Sequence, residues 1–274
     1  MTELRCLVTG CASGIGRHLV GALLARGHRV AATDRLPAED RLSRVATEDA
    51  WGRERTLLVT LDVTRADQWA GAMDAAVEAW GGIDVVYNVA GYLCPGDILS
   101  PTDDEVDRHV DVNLRGVVLG TRAAARHMIP AGSGHVVNVA SIAALSPVPG
   151  LALYSATKYA VRAWSVSAAQ ELKRHGVHVT VFCPDAVDTP MLEAQVGHEA
   201  SVLPFSGFRV LSVEEVSQAL TGPVLRRRPM VYVLPRYRGW IARVGDLLPG
   251  PGFRLLPFFE RIGRAGQARY RAGK

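Results

Sequence analysis

Short apolar runs alternate along the chain with longer stretches in which apolar positions recur every three or four residues, the pattern of buried strands separated by amphipathic helices. Leu4 to Thr9 reads as the first strand, Ile15 to Arg26 as a helix stopped by Gly27, and His28 to Asp34 as the second strand. A helical stretch from Ala38 to Ala50 precedes a third strand at Arg55 to Leu61, and Asp67 to Trp80 is a helix ended by Gly81-Gly82. Ile83 to Asn88 is a fourth strand, and Val136 to Ala140 a fifth. Val177 to Phe182 makes the sixth strand, after a helix that runs to about His175, and Met230 to Leu234 the last. Thr102-Asp103-Asp104-Glu105 and Ser212-Val213-Glu214-Glu215 are capping boxes that open two further helices, the first running towards Met128. Strands that are apolar throughout, alternating with helices, predict an α/β fold with a doubly wound parallel sheet covered on both faces.

The turn between the first strand and first helix is Thr9-Gly10-Cys11-Ala12-Ser13-Gly14-Ile15-Gly16. Glycines there let backbone N–H groups approach a pyrophosphate at the positive end of a helix. Asp34 ends the second strand, where a carboxylate can bind the ribose diol of an adenosine and repel a 2′-phosphate. Ser13 stands where a loop selecting the phosphorylated cofactor would carry a cation, so NAD is preferred to NADP, with Arg35 as the dissenting residue.

Composition adds limits. The 274 residues are 48% hydrophobic with a net charge of +4, enough for one large α/β domain. No apolar run is long enough to span a membrane, the opening residues carry no secretory pattern, and the four cysteines form no C-x-x-C pair. A cytoplasmic protein with reduced thiols is expected. The charge is uneven: Arg226 to Lys274 holds eleven Arg and one Lys against Asp246 and Glu260, 12 − 2 = +10, which leaves −6 for the rest. His175 and His178 have Gly176 between them and no third ligand nearby, so no metal is expected.

Tyr154 and Lys158 are four apart, on one face if helical, so the ammonium can favour ionisation of a phenol that titrates near pH ~10 when free. With Ser141 upstream, the chain resembles the short-chain dehydrogenase/reductase family, whose motifs run in order from Leu4 to about Pro190. The resemblance implies a Rossmann fold and a nicotinamide-dependent oxidoreductase interconverting a secondary alcohol and a ketone. It gives Ser141 the substrate oxygen, Tyr154 the general acid or base, and Lys158 the phenol pKa and the nicotinamide ribose. Asn113 would hold a water that links Lys158 to solvent. Gly10, Ser13, Gly14, Ile15 and Gly16 would line the cofactor loop, and Asp62-Val63 would lie near adenine. Asn88-Val89-Ala90-Gly91 matches a family loop with Val89 in place of asparagine, and the resemblance implies that Asn88 steadies the central strand and that Asn88, Ala90 and Gly91 contact the cofactor. The Val187 backbone and Thr189 hydroxyl would meet the nicotinamide carboxamide.

The clearest departure is Asp185, where the family has glycine after the sixth strand. If that position needs positive φ, aspartate tolerates it, and a plain turn substitution is preferred to a pocket role. Leu93, Leu145, Val148, Leu151, Met191 and Leu192 flank the expected site and suggest an apolar substrate. The organisation expected is a catalytic domain over 1–235 and a basic, aromatic extension over 236–274. Pro249-Gly250-Pro251-Gly252 splits that extension, so a subunit interface or pocket lid is preferred to membrane-surface contact, and no nucleic-acid motif accompanies the charge. A homodimer or homotetramer is the family's habit. Two alternatives remain at this point: an NADP(H)-dependent ketone or 3-oxoacyl-thioester reductase, and a dinucleotide-sensing scaffold without turnover.

Overall fold

Along strand β1 (Arg5–Thr9) the side chains alternate between two apolar layers. Cys6 and Val8 pack with Leu19, Val20 and Leu23 on one side, while Leu7 packs with Trp69, Met73 and Met128 on the other. Both faces are apolar and both are covered, which forces a parallel, helix-flanked sheet. Seven parallel strands lie in the order β3-β2-β1-β4-β5-β6-β7, where β2 is Arg29–Asp34, β3 Thr56–Thr60, β4 Val85–Asn88, β5 Gly134–Val139, β6 Val177–Pro184 and β7 Val231–Leu234. The order reverses between β1 and β4, so a crevice opens at the carboxyl ends of these strands. This computed structural model describes residues 2–35, 41–248, 250 and 254–273.

The helices follow the expected frame. Helix α1 is Gly14–Leu24, α2 Ser43–Glu48, α3 Ala66–Trp80, α4 Asp103–Val110 and α5 Gly116–Ala131. The first part of the helix expected from Ala38, residues 38–40, lies outside the described residues, and α2 is shorter than expected. Both capping boxes form with both reciprocal bonds, at Thr102 and at Ser212, which opens α8 (Val213–Ala219). Between α4 and α5 the helix loosens into a π turn over Asp111–Arg115, centred on Asn113. Helix α6 (Ala152–Lys173) carries Tyr154 and Lys158, and α7 (Pro190–Glu193) begins the segment that covers the crevice.

Among the described residues, two long helices lie towards the end of the chain. After the short α9 (Leu225–Arg227) and β7, helix α10 spans Arg236–Leu247 and packs against β7 and the turn at Ile142–Ala144. A last helix, Leu256–Ala272, packs on the turn Leu203–Ser206, close enough that a Cβ at Gly263 would sit 2.3 Å from the Val202 carbonyl oxygen, and one at Gly266 2.2 Å from that of Phe205. Of the break between them, Pro249, Pro251, Gly252 and Phe253 lie outside the described residues. None of the described helices is long and apolar enough to cross a membrane.

Candidate active site

An open cleft of about 640 Å³ runs across the strand ends from Arg35 to Arg238. At one end the chain leaves β1 with Gly10 at φ +73° and enters α1 through Gly14 at φ +53°, both in the region that favours glycine. Gly16 has no room for a side chain, because its Cβ would stand 2.2 Å from the Gly10 carbonyl oxygen. Ser13 is extended and gives α1 no side-chain cap, and the first turn holds no acid. The amides that begin α1 are therefore left for an anion, and Ser13, Gly14, Ile15 and Gly16 face the cleft. Asp34 is held beside this loop, accepting from the Ala12 amide at 2.9 Å and the Arg35 amide at 2.9 Å. These features fit a dinucleotide: a pyrophosphate on the helix end and a ribose diol at Asp34.

Asp62 and Val63 line the next stretch of wall, Asp62 pinned by the Thr64 amide at 2.9 Å and hydroxyl at 2.8 Å. Ala90 and Gly91 line it too, their loop held by Thr9 Oγ1, which accepts from the Val89 and Ala90 amides at 2.9 and 3.0 Å. That backbone anchoring takes no help from the missing asparagine at Val89. Asn88, expected to touch the cofactor, is not on the cleft wall. Its side chain is buried behind it and donates to Asn138 Oδ1 at 2.7 Å, tying β4 to β5. Asn113 is likewise fully buried: its side-chain amide accepts from Tyr92 N at 2.7 Å and donates to Tyr92 O at 2.8 Å and Thr157 Oγ1 at 3.2 Å. With its side chain spent on the Tyr92 loop, Asn113 acts here as a brace, and its Oδ1 and the Lys158 Nζ lie 3.5 and 3.8 Å from where a Cβ on Gly91 would stand.

Ser141, Tyr154 and Lys158 do meet on the cleft, from the turn after β5 and from the first turns of α6. Lys158 Nζ lies over the Tyr154 ring, 5.4 Å from its centroid, and donates to the Val139 carbonyl at 3.0 Å. Burial pushes the Tyr154 phenol up to about 12, with the Ser141 hydroxyl pulling the other way. Burial also pushes the Lys158 ammonium down to about 8. The proximity expected from i, i+4 spacing is therefore present, while desolvation dominates the phenol in the protein alone.

Asp185 is the largest departure from expectation. It does not adopt positive φ; its amide continues the ladder to the Leu234 carbonyl at 2.8 Å. The residue is 7% exposed, lines the cleft, and accepts from Arg238 Nε at 2.7 Å, while its Oδ1 atom has no hydrogen-bond partner among the described residues. A turn substitution does not describe this residue; a buried ion pair at the substrate end does. Val187 and Thr189 also line the cleft, although the Thr189 hydroxyl donates to Val187 O at 3.1 Å. Sequence reasoning missed three arginines on the wall: Arg41, Arg108 from α4 and Arg238 from α10. The covering segment is in turn held by the last helix: Gln267 donates to Gln195 O at 3.2 Å, Tyr270 hydrogen-bonds Asp188, and the rings of Phe205 and Tyr270 lie 5.6 Å apart. Trp164 packs into a buried cluster with Val161 and Ala140, away from the cleft. Among the described residues no three His, Cys, Asp or Glu gather as a metal site, and all four cysteines are free thiols.

Residues 5–200 match the family model described as short chain dehydrogenase. The chain is 40% identical over 187 residues to a 3-alpha-(or 20-beta)-hydroxysteroid dehydrogenase of Mycobacterium tuberculosis, covering 68% of this chain and 70% of that one. It is 36% identical over 185 residues to a 2,5-dichloro-2,5-cyclohexadiene-1,4-diol dehydrogenase of Sphingobium indicum, covering 68% and 73%. Among solved structures, the 3-ketoacyl-(acyl-carrier-protein) reductase of Brucella melitensis complexed with NADH superposes with a TM-score of 0.74 at 28% identity, over 84% of this chain and 95% of the other.

Proposed function

Because the chain belongs to the short chain dehydrogenase family and is an oxidoreductase of it, we propose that it interconverts an apolar alicyclic secondary alcohol and its ketone with NAD, using Tyr154 as the proton-transferring group. The observation that carries this reading is the convergence of Ser141, Tyr154 and Lys158 on the same cleft as the uncapped start of α1. A nicotinamide bound there supplies the hydride acceptor or donor, and everything else falls to side chains. Ser141 orients the substrate oxygen. Tyr154 takes the hydroxyl proton in oxidation and returns it in reduction. Lys158, charged below its pKa of about 8, stabilises the phenolate across the ring face. Asn113 holds the Tyr92 loop and so fixes the wall beside Lys158, with Asn113 Oδ1 3.5 Å and Lys158 Nζ 3.8 Å from where a Cβ on Gly91 would stand.

The alicyclic class draws on the names of the two similar dehydrogenases and on the apolar wall of Leu93, Val148, Leu151 and Leu192. Preference for NAD rests on Asp34, which sits where a 2′-phosphate would be repelled. A second reading, an NADP(H)-dependent ketone or 3-oxoacyl-thioester reductase, draws its cofactor from Arg41, which lines the cleft along with Arg35, and its substrate class from the similarity to a ketoacyl reductase, itself complexed with NADH. The intact catalytic set argues against a non-catalytic sensor. Titrating NAD and NADP against the protein, then following reduced-nicotinamide absorbance over a panel of cyclic and acyl substrates, tests the choice. The first reading expects NAD to bind tighter and cyclic alcohols to be oxidised; tighter NADP binding with thioester reduction would replace it.

A further inference from the structure

Helix α10 has two unlike faces. Its inner side holds the protein: Arg238 pairs with Asp185, Gly239 and Ala242 are buried, and Asp246 accepts from the Tyr159 hydroxyl at 2.7 Å. Its outer side carries Tyr237, Trp240, Ile241, Val244, Leu247 and Leu248, spaced three and four apart as one apolar stripe. Trp240 is 67% exposed and Leu247 78%. The stripe continues onto the segment covering the cleft, because the Tyr237 ring lies 5.7 Å from that of Phe208, which is itself 89% exposed. A water-facing surface rarely leaves so many large apolar side chains contiguous and uncovered.

Charge decides what covers them. From Arg236 to Lys274 there are eight Arg and one Lys against Asp246 and Glu260, 9 − 2 = +7. Arg236, Arg254, Arg261, Arg264, Arg269 and Arg271 are all exposed. A second copy docked through the same face about a two-fold axis would set this surplus against itself. An anionic lipid surface neutralises it, while the aromatic and aliphatic stripe enters the headgroup zone. The Pro249-Gly250-Pro251-Gly252 sequence does not prevent this, since α10 alone presents the stripe.

We propose that the outer face of α10, with Phe208 and the basic charge carried by residues 236–274, docks the protein on anionic phospholipid membranes, setting the substrate end of the cleft beside the lipid. The docking does not depend on the proposed chemistry, and its test reads no turnover. The full chain is sedimented with phosphatidylglycerol–phosphatidylcholine vesicles and with phosphatidylcholine vesicles alone, at low salt and at 1 M salt, where the screening length falls to about 3 Å. Binding to the anionic vesicles only, released by high salt, is the expected result. Trp240→Glu with Leu247→Glu should lower the bound fraction by about tenfold or more, since a charge replaces each apolar group that would enter the headgroup zone. Cofactor affinity by calorimetric titration, unchanged in that variant, shows that it is folded, and Arg254→Glu with Arg261→Glu provides a second variant that leaves the stripe intact and should also bind less. No sedimentation, equal sedimentation with neutral vesicles, or full binding by the Trp240/Leu247 variant would overturn the proposal. So would a fall in solution mass of that variant with vesicle binding unaltered, which would make the stripe a subunit contact.

Discussion

The two ends of the cleft are built by different means. At the cofactor end, the backbone does the work: glycines at positive φ, an uncapped helix start and an amide-held Asp34 all lie within one strand–turn–helix and the next strand end. At the substrate end, side chains brought from distant parts of the chain do it: Asp185 meets Arg238, Gln195 meets Gln267, and Asp188 meets Tyr270. A local backbone device tolerates little substitution and binds a common group. A mosaic of long-range contacts can be exchanged without disturbing the sheet, which is how one fold accepts different substrates.

The sharpest way to test this division is to remove the charge at its boundary. Lys158→Met should lower turnover by about 10²- to 10⁴-fold, the usual range for losing support of a general base. In the parent enzyme kcat/KM for alcohol oxidation should rise with pH, because the phenolate is the active form and its fraction grows as pH approaches the Tyr154 pKa from below. That rise should bend over near pH 8, where Lys158 loses its proton and its support. The Lys158→Met variant should show no bend there. A bend that persists assigns it to another group.

Next in size is the buried ion pair. Arg238→Met strands the Asp185 carboxylate and should cost about 3 kcal/mol or more of stability, read by chemical denaturation. Replacing the pair together, Asp185→Leu with Arg238→Met, should recover much of that loss yet change the order of preference over the substrate panel, with NAD affinity unaltered. A changed NAD affinity would blur the line between the two ends. Asp34→Ala should weaken NAD by about tenfold, the scale of one charged hydrogen-bonding partner of roughly 1.5 kcal/mol, and should narrow the gap to NADP. The smallest effect is expected from Gly263→Ala, whose methyl group meets the Val202 carbonyl. It should loosen the cover and raise KM a few-fold with kcat held, whereas a lowered kcat at constant KM would place the last helix in the chemistry.

The cofactor end is readable in the sequence because its determinants are local. Apolar strand runs, the Gly10–Gly14–Gly16 spacing, Asp34 at a strand end and both capping boxes all reappear in the fold. Asn88 steadies the central strand as its motif implies, but the partners that Asn88 and Asn113 use for this, Asn138, Tyr92 and Thr157, are ones that no local pattern reveals. Asp185 and Arg238 are 53 positions apart, and nothing in the sequence pairs them. Part of the extension carries a local signal: the Tyr237, Trp240, Ile241, Val244, Leu247 stripe has helical spacing, and Gly263-x-x-Gly266 marks a helix side that approaches another backbone. Arg41 lies beyond any motif and comes to the cleft only through the fold.

The phenol at the centre of the cleft bears the heaviest demand of all these groups. Rapid mixing of NAD-loaded Tyr154→Phe protein with an oxidisable cyclic alcohol, followed at the reduced-nicotinamide absorbance, isolates the chemical step from binding. Cofactor affinity within about twofold of the parent, with hydride transfer slowed by about 10³-fold or more, is the predicted result. Hydride transfer at the parent rate would contradict it and move the proton to another group.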